Sequence, residues 1–263
     1  MDRKKGIADA WNADSDAYFA RVDYEMLFHR LKTDPYAGFP QAIAALIKKT
    51  CPDLRGKKVL VPSCGDNVAV LGLCALGAEV TATDIAMRQI QNARRIAEDW
   101  GQNVTYLCVD SMTLSGLADN AYDFIYTSNG VHVWIDDLMA LYKSFFRVLK
   151  PGGRYVFFDT HPFSRPFDNA LQEGLFKAIK PYEDIGPFHE DPTYAWRIQD
   201  FVNALTGSGF TLTQMLEFNS TPQDFAEHNY FYHNGAAESD RYDWRQNPWA
   251  ALPQCLGLSV YKP

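Results

Sequence analysis

The 263-residue sequence has no excess of positive charge and no long apolar run. Its 25 Lys and Arg stand against 32 Asp and Glu, a formal net charge of −7. A chain without a basic patch is a poor match to a phosphate backbone, so we expect no nucleic-acid partner. No segment approaches the roughly 20 apolar residues of a membrane span, and the N-terminal MDRKKGIADAW has no apolar signal core. We therefore expect no membrane partner.

The sequence also has few groups arranged for disulfides or metals. Its 5 cysteines are odd in number, scattered and without a C-x-x-C pair, as is typical of reduced thiols in a cytoplasmic protein. Asp159, His161 and His189 do not have the spacing of a closed metal site. We predict a cytoplasmic protein without a metal.

One stretch, residues 58–85, carries the clearest pattern in the chain. It predicts a buried strand over 59–61, a turn over 62–67, a helix over 68–76 ended by Gly77, and a strand over 79–83. Asp84 follows the second strand. This layout suits a nucleoside, because the turn amides face the ligand and the acid accepts from ribose hydroxyls.

Glycine is scarce in the turn of this unit. Only Gly65 is present where a dinucleotide-binding loop would have three glycines. Asn67 tolerates a left-handed backbone better than most residues, so the turn itself is compatible with the sequence. A nicotinamide-dependent oxidoreductase remains an alternative, which the missing glycines disfavour.

Strands and helices alternate through the rest of the chain, which predicts a parallel sheet with right-handed crossovers. The N-terminal region predicts a helix over 14–31 and another opened by Pro40. Irregular segments with a possible helix at 168–179 and a helix start at 221–224 interrupt the alternation. The further predicted helices are 87–100, 135–149 and 197–207, and the further strands are 104–109, 122–127, 154–158, 210–217 and 256–261.

These elements together resemble the class I S-adenosylmethionine-dependent methyltransferases. The residues that carry the resemblance are VLVPSCGDN, VTATDI, YLCVDSM, YDFIYTSNGVHVW and FRVLKPGGRYVFFD, over about 55–160, with FVNALTGSGF and LPQCLGLSVY as closing elements. The resemblance implies an α/β fold with a Rossmann-like seven-stranded, mostly parallel sheet, an antiparallel last strand and helices on both faces. It implies S-adenosyl-L-methionine as cofactor and S-adenosyl-L-homocysteine as product.

The resemblance also implies one methyltransferase domain over 1–263. Its parts are a helical N-terminal cap (1–50), a cofactor-binding core (55–160), substrate-side insertions (160–195 and 218–253) and closing elements (196–217 and 254–263). Whether the N-terminal helices cover the site or only pack beside it is left open by the residues.

Carried over by position, the family's cofactor contacts fall on the turn and on the strand ends. Asp84 with Ile85 would take the ribose, and Asp110 with Ser111 and Met112 the adenine. Val61 stands where the family usually has an acid, so Asp66 is the candidate for the cofactor's amino group. The remaining implied contacts are Ser63, Cys64 and Gly65 for the methionine moiety, Asn67 in the same turn, and Ser128 and Asn129 near the sulfonium. For Asp84 and Asp110, capping of the following helix is the plainer interpretation.

Fewer residues are candidates for catalysis or for contact with the methyl acceptor than for contact with the cofactor. His132 and His161 follow strand ends and are candidate general bases and substrate contacts; the alternative is a packed histidine with satisfied hydrogen bonds. The candidate substrate contacts among the aromatic residues are Tyr18, Phe19, Tyr230 and Trp244, each of which could instead be ordinary packing.

We therefore predict S-adenosylmethionine-dependent methyl transfer to a small-molecule acceptor, driven mainly by proximity and orientation. The main alternative is a non-catalytic or degenerate protein that binds S-adenosylmethionine or S-adenosylhomocysteine, since Val61, Ser63 and Asn67 depart from the usual pattern. Calorimetric titration with both ligands separates these functions. The sequence assigns no oligomeric state.

Overall fold

A computed structural model describes residues 3–168, 175–188, 193–222, 224 and 240–263 of the chain. Its strands form a single sheet. They are β1 (Lys58–Pro62), β2 (Glu79–Asp84), β3 (Thr105–Cys108), β4 (Tyr122–Thr127), β5 (Leu149–Thr160), β6 (Thr211–Phe218) and β7 (Cys255–Tyr261). The α-helices of this part are α1 (Arg3–Phe19), α2 (Tyr24–Thr33), α3 (Gln41–Thr50), α4 (Val68–Ala75), α5 (Met87–Asp99), α6 (Leu138–Val148) and α7 (Ile198–Gly207).

The sheet has the strand order β3-β2-β1-β4-β5-β7-β6. The pairs from β3 to β5 are all parallel, and β7 is antiparallel to both β5 and β6. The order reverses direction between β1 and β4, so the carboxyl ends of β1 to β4 meet at the topological switch point where α/β proteins bind ligands. The predicted seven-stranded fold with an antiparallel last strand is confirmed.

Two hydrophobic cores lie on opposite faces of the sheet, as the alternation of side chains along a strand requires. Val59 and Val61 of β1 belong to the core under α2 to α5, whereas Leu60 between them belongs to the core under α6 and α7. Helices therefore cover both faces. None of the helices in the described ranges is long and apolar enough to span a bilayer.

The N-terminal helical region differs from its prediction. The single helix predicted over 14–31 is wrong, because the chain breaks between Phe19 and Tyr24 into α1 and α2. Asp23 causes the restart: its side chain accepts a 2.9 Å hydrogen bond from the amide of Met26 and caps α2. The break separates α2 from α1, and residues of α1 line the cavity described below.

Three other segments refine the predicted boundaries. The helix predicted at 168–179 is wrong for its described end, where Ala178 pairs with Phe167 as an isolated antiparallel bridge; residues 169–174 lie outside the described residues. The helix predicted from 135 starts at Leu138, because Asp137 caps it and a short 3₁₀ turn over His132–Trp134 precedes it. Asp224 accepts from the amide of Thr221, as a helix start at 221–224 predicts, and the residues after it lie outside the described ranges.

Candidate functional site

A cavity of about 290 Å³ opens at the carboxyl ends of β1 to β4. Its floor comes from the turn after β1, the ends of β2 and β3 and the loop after β4, and α1 forms its cover. The lining residues are Arg3, Lys4, Ile7, Trp11, Tyr18, Ser63, Gly65, Asp84, Ile85, Gln89, Asp110, Ser111, Met112, Ser128, Asn129, Gly130, Val131, Val133, Trp134 and Ile135.

Most of the predicted cofactor contacts meet in this cavity. Those that line it are Ser63, Gly65, Asp84, Ile85, Asp110, Ser111, Met112, Ser128 and Asn129. The remaining three do not. Cys64 is buried in the core, Asn67 points away from the cavity, and Asp66 faces a smaller neighbouring cavity. The cofactor roles of all twelve stay predictions.

The turn after β1 is built with few glycines because polar residues adopt the left-handed backbone. Ser63, Gly65 and Asn67 have φ of 50°, 56° and 68°. Asn67 is held there by its side chain, which donates to the carbonyl of Ala93 at 3.0 Å and accepts from the Tyr106 hydroxyl at 2.8 Å. These buried bonds offset the cost of the left-handed conformation.

Asp84 presents a buried carboxylate to the cavity from the end of β2. One oxygen accepts a 3.0 Å hydrogen bond from the amide of Ala86, and the amide of Gly65 also donates to the group. Burial nevertheless raises the pKa of Asp84 to about 6. The carboxylate oxygens can accept further hydrogen bonds, so a ligand that brings hydroxyl donors into the cavity would find acceptors there.

Asp110 stands beside Asp84, two residues after the end of the neighbouring strand β3. Its Oδ1 accepts from the amide of Met112 at 2.9 Å, and its Oδ2 forms an ion pair with Lys4 of α1. The hydroxyls of Ser63 and Ser111 lie 2.8 Å apart and join the β1 turn to this loop. Two acids from adjacent strands thus lie along one wall of the cavity.

Helix α1 is fixed over the cavity at both of its ends. Near its start, Arg3 pairs with Asp136 at 2.7 Å and donates to the carbonyl of Trp134 at 2.6 Å. Further along, Asp16 pairs with Arg88 of α5 at 2.8 Å. The sequence left open whether the N-terminal region covers the site; in the structure, α1 lies across it.

The α1 side of the cavity is aromatic. Trp11 meets Tyr18 edge-on with ring centroids 5.2 Å apart, and meets Trp134 with centroids 5.8 Å apart. Neither Trp11 nor Trp134 was among the residues predicted to line the site. A signal for the α1 group was present in the sequence. The steps between Lys4, Ile7, Trp11 and Tyr18 are three, four and seven residues, which is the spacing of one helix face.

The two candidate bases are not brought into this cavity. His132 is 1% exposed, with Nδ1 2.7 Å from Asp159 Oδ2 and Nε2 3.2 Å from the Tyr142 hydroxyl. His161 is 2% exposed; its Nε2 lies 2.7 Å from Glu217, and its Nδ1 accepts from the amide of Phe163. Both rings have the satisfied hydrogen bonds of the packed alternative, so a catalytic role stays a prediction without support from this geometry.

The predicted aromatic substrate contacts also do not all lie at the cavity. Tyr18 lines the cavity, but Phe19 points to the opposite side of α1 and is buried in the core. Trp244 is 55% exposed and packs under the guanidinium of Arg245, away from the cavity. Tyr230 lies outside the described residues. No group of three or more metal-binding side chains occurs within the described ranges.

Comparison with known proteins shows which family and which proteins the chain is similar to. Residues 60–157 match the family described as "Methyltransferase domain". The chain is 33% identical over 107 residues to a ubiquinone biosynthesis O-methyltransferase of Idiomarina loihiensis, covering 41% of this chain and 43% of that protein. It is 32% identical over 107 residues to an S-adenosyl-L-methionine-dependent Diels-Alderase of Neonectria sp., covering 40% and 38%.

The similarity in three dimensions is more extensive. An S-adenosylmethionine-dependent methyltransferase from Mesorhizobium loti has the same fold with a TM-score of 0.63 at 19% identity, over 88% of this chain and 100% of that chain. The chain spans about half the length of the curated relatives it matches in sequence. The family match over residues 60–157 covers most of β1 to β5, which includes the strands whose ends build the cavity floor.

Proposed function

We propose that this protein, whose residues 60–157 match the family described as "Methyltransferase domain", transfers a methyl group from S-adenosylmethionine to a small molecule. The observation that carries the proposal is the pair of carboxylates, Asp84 and Asp110, at the ends of adjacent strands in one cavity. An acid at the end of β2 and another after β3 match the two polar ends of a nucleoside.

The cavity residues fit the nucleoside part of such a cofactor. Asp84 is buried and has spare acceptor capacity for two ribose hydroxyls, and Asp110 is an acceptor for the adenine amino group. Met112 and Ile85 supply apolar surface next to them. The volume of about 290 Å³ is near the lower end for small-molecule sites, so the enclosed space is sized for one ligand.

The bound cofactor would supply an activated methyl group on a sulfonium. The chain's own contribution is to hold the two reactants in line and to exclude water. Its loop Ser128–Gly130 lies at the end of β4, where Asn129 is fixed by Thr160, whose amide and hydroxyl both donate to its Oδ1 at 3.1 and 3.0 Å. Such orientation supplies roughly 7–11 kcal/mol in well-placed reactions.

The acceptor follows from the aromatic wall of the cavity. Trp11 and Trp134 present flat apolar surface on the α1 side, which favours a flat or apolar small molecule over a highly charged one. One curated relative acts in ubiquinone biosynthesis as an O-methyltransferase, in keeping with an aromatic acceptor. The net charge of −7 disfavours a nucleic acid in this role.

A second candidate function is cofactor binding without methyl transfer. Two observations favour it: neither His132 nor His161 is available to the cavity as a base, and one similar protein is named a Diels-Alderase rather than a methyltransferase. The experiment is incubation with methyl-labelled S-adenosylmethionine and a metabolite extract. We expect label in a small molecule; binding of the cofactor with no transferred label would support the second candidate.

A further inference from the structure

The side chain of Asn129 has a fixed orientation after the end of β4, where the residue lines the cavity. Its Oδ1 accepts from the amide and from the hydroxyl of Thr160 at 3.1 and 3.0 Å, and the same amide also donates to Asp159 Oδ1 at 2.7 Å. A backbone amide can only donate, so the atom of Asn129 that faces Thr160 is the oxygen and not the nitrogen. These two bonds use both lone pairs of the oxygen, and Nδ2, with its two N–H donors, is the end that remains for a ligand.

The position of Asn129 along the sheet edge is the one that a methyl acceptor would need. The strand order β3-β2-β1-β4 places Asp110, Asp84, the turn after β1 and Asn129 in succession along this edge. Adjacent strands are about 4.8 Å apart, so β4 lies roughly 10 Å from the strand that carries Asp84. In the proposed cofactor site, Asp110 marks the adenine end and Asp84 the ribose. The sulfonium and its methyl group would therefore lie on the side of β1 and β4.

A hydrogen-bond donor at this position favours oxygen over nitrogen as the attacking atom. A neutral amine has one lone pair, which it needs for the attack, so it cannot accept from Nδ2 at the same time. Its own N–H groups would need an acceptor, and Asn129 Oδ1 is already used by Thr160. An oxygen has one lone pair for Nδ2 and another for the methyl carbon. The hydroxyl of the neighbouring Ser128 both donates and accepts, so it does not distinguish the two.

The described part of the cavity offers no spare base to the acceptor. Two carboxylates line it, Asp84 and Asp110, and both lie on the wall assigned to the nucleoside. The rings of His132 and His161 are hydrogen-bonded in the core instead. A hydroxyl of ordinary acidity needs a base to take its proton. An oxygen that arrives already ionised needs none, and the positive sulfonium attracts it.

We propose that Asn129 donates from Nδ2 to the attacking atom of the acceptor, and that this atom is an anionic oxygen, in a carboxylate or in an acidic phenol. The inference rests on the proposed function and adds the attacking atom to it. In the transfer, one lone pair of the oxygen forms the bond to the methyl carbon, the carbon–sulfur bond breaks, and its electron pair stays on the sulfur. No proton has to move. Trp11 and Trp134 would contact the flat body of such an acceptor.

The first experiment identifies the atom that receives the methyl group. The full chain is incubated with a metabolite extract and S-adenosylmethionine that carries a ¹³C-labelled methyl group, and the product is read by NMR. The ¹³C chemical shift of a methyl group depends on the atom to which it is bonded. We expect a methyl ester or a methyl ether. A methyl group on nitrogen, sulfur or carbon would overturn the inference and leave the proposed function standing.

Asn129→Asp reverses the hydrogen-bonding character of this one position. Aspartate keeps an oxygen for Thr160 and replaces the donor with an acceptor of nearly the same size. The kcat/KM for the acceptor found with wild type should fall by about tenfold or more, while the Kd of S-adenosylhomocysteine changes by less than about threefold. Asn103→Asp, at an exposed position before β3, adds the same charge and should change neither. Melting temperatures check the fold of both variants.

Two outcomes of this comparison would refute the role of Asn129. One is an unchanged kcat/KM in Asn129→Asp. The other is a loss of S-adenosylhomocysteine affinity of about tenfold or more, because the donor would then serve the cofactor rather than the acceptor.

A binding measurement on wild type depends neither on a variant nor on turnover. Benzoate, para-nitrophenolate and the neutral amines aniline and para-nitroaniline are titrated at pH 8 into ¹⁵N-labelled protein, with and without S-adenosylhomocysteine. The side-chain amide resonance of Asn129, assigned from triple-resonance spectra, reports contact with Nδ2. We expect at least one anion to shift this resonance and to bind about tenfold or more tightly than its matched amine.

The two anions separate the two sources of the oxygen. A response to benzoate alone indicates a carboxylate, and a response to para-nitrophenolate alone indicates an acidic phenol. No shift with either anion, or equal affinity for the amines, would refute the inference. If the extract takes up no methyl group, the proposed function fails, and this titration alone decides whether Asn129 binds an anionic oxygen.

Discussion

The ammonium of Lys4, in the first turn of α1, lies 2.5 Å from Asp110 Oδ2, beyond the end of β3. The two residues are 106 positions apart in sequence. The contact joins the cover of the cavity to the carboxylate that stands at the predicted adenine end. Because Lys4 is 46% exposed, the pair adds little to global stability, and its effect should appear in ligand exchange instead.

Replacing Lys4 with methionine should therefore speed the exchange of S-adenosylhomocysteine. Loss of one partly exposed pair, about 0.2–1 kcal/mol, weakens the attachment of the start of α1, which Arg3 still holds, and should raise the dissociation rate by about two- to fivefold. Stopped-flow tryptophan fluorescence can follow this, since Trp11 and Trp134 line the cavity. Lys5→Met, on the exposed side of the same turn, is the matched control. Equal dissociation rates for wild type and Lys4→Met would show that the Lys4–Asp110 ion pair does not slow the exchange of the ligand.

Asp84 should make the ligand-free protein less stable as the pH rises. Burial raises the folded pKa of Asp84 to about 6, above the usual 3.8 of an aspartate, so its contribution to stability is fully present at low pH and is lost between about pH 4 and pH 6. Asp84→Asn should raise the free energy of unfolding at pH 7.5 by about 1–3 kcal/mol and at pH 4 by much less. Urea unfolding at both pH values measures this, with the exposed Asp9→Asn as control. If Asp84→Asn were less stable than wild type at pH 7.5, the raised pKa of the buried Asp84 would be refuted.

His132 should prove to be a structural residue. Its Nδ1 lies 2.7 Å from Asp159 Oδ2 inside the core, so His132→Ala removes the partner of that oxygen while Oδ1 keeps the amide of Thr160. The loss should cost about 1–3 kcal/mol of stability. His132→Asn, whose amide can reach the same oxygen, should recover part of the loss. Melting temperatures and methyl transfer are measured together. A fall in kcat of about a hundredfold or more in a stable His132→Asn protein would instead identify the histidine as a general base.

Asn67 should be worth more to stability than its position in a turn suggests. Asn67→Ala removes two buried side-chain hydrogen bonds and forces alanine to adopt φ of 68°, a combined cost of about 2–4 kcal/mol. Asn67→Gly loses the same bonds without the backbone strain and should be more stable than Asn67→Ala by about 1 kcal/mol. Urea unfolding compares the two variants. An alanine variant as stable as the glycine one would contradict the strain argument.

The sequence was sufficient for the sheet and for the floor of the cavity because both follow from local patterns. Asp84 stands at the end of the predicted strand β2 and Asp110 just beyond the predicted strand β3, and both line the cavity where the ends of these parallel strands meet. The left-handed turn at Asn67 was also compatible with its residue type. Gly77, with φ of +79°, ends α4 as expected.

The cover of the cavity and the role of the histidines depend on tertiary contacts that a local pattern does not contain. The helix predicted over 14–31 did not include the break at Asp23 or the start of α1, which brings Trp11 to the cavity. His132 follows a strand end, as a catalytic residue does, but only the three-dimensional arrangement shows Asp159 and Tyr142 on its two ring nitrogens.

The most direct test is calorimetric titration of S-adenosylhomocysteine into wild type and Asp84→Ala at pH 8. Wild type should bind with a dissociation constant below about 100 µM, within the usual range of enzyme ligands. Asp84→Ala should weaken binding by about tenfold or more, because ribose hydroxyls lose a charged acceptor. Absence of binding to wild type, or equal affinity for both proteins, would contradict the assignment of this cavity as the cofactor site.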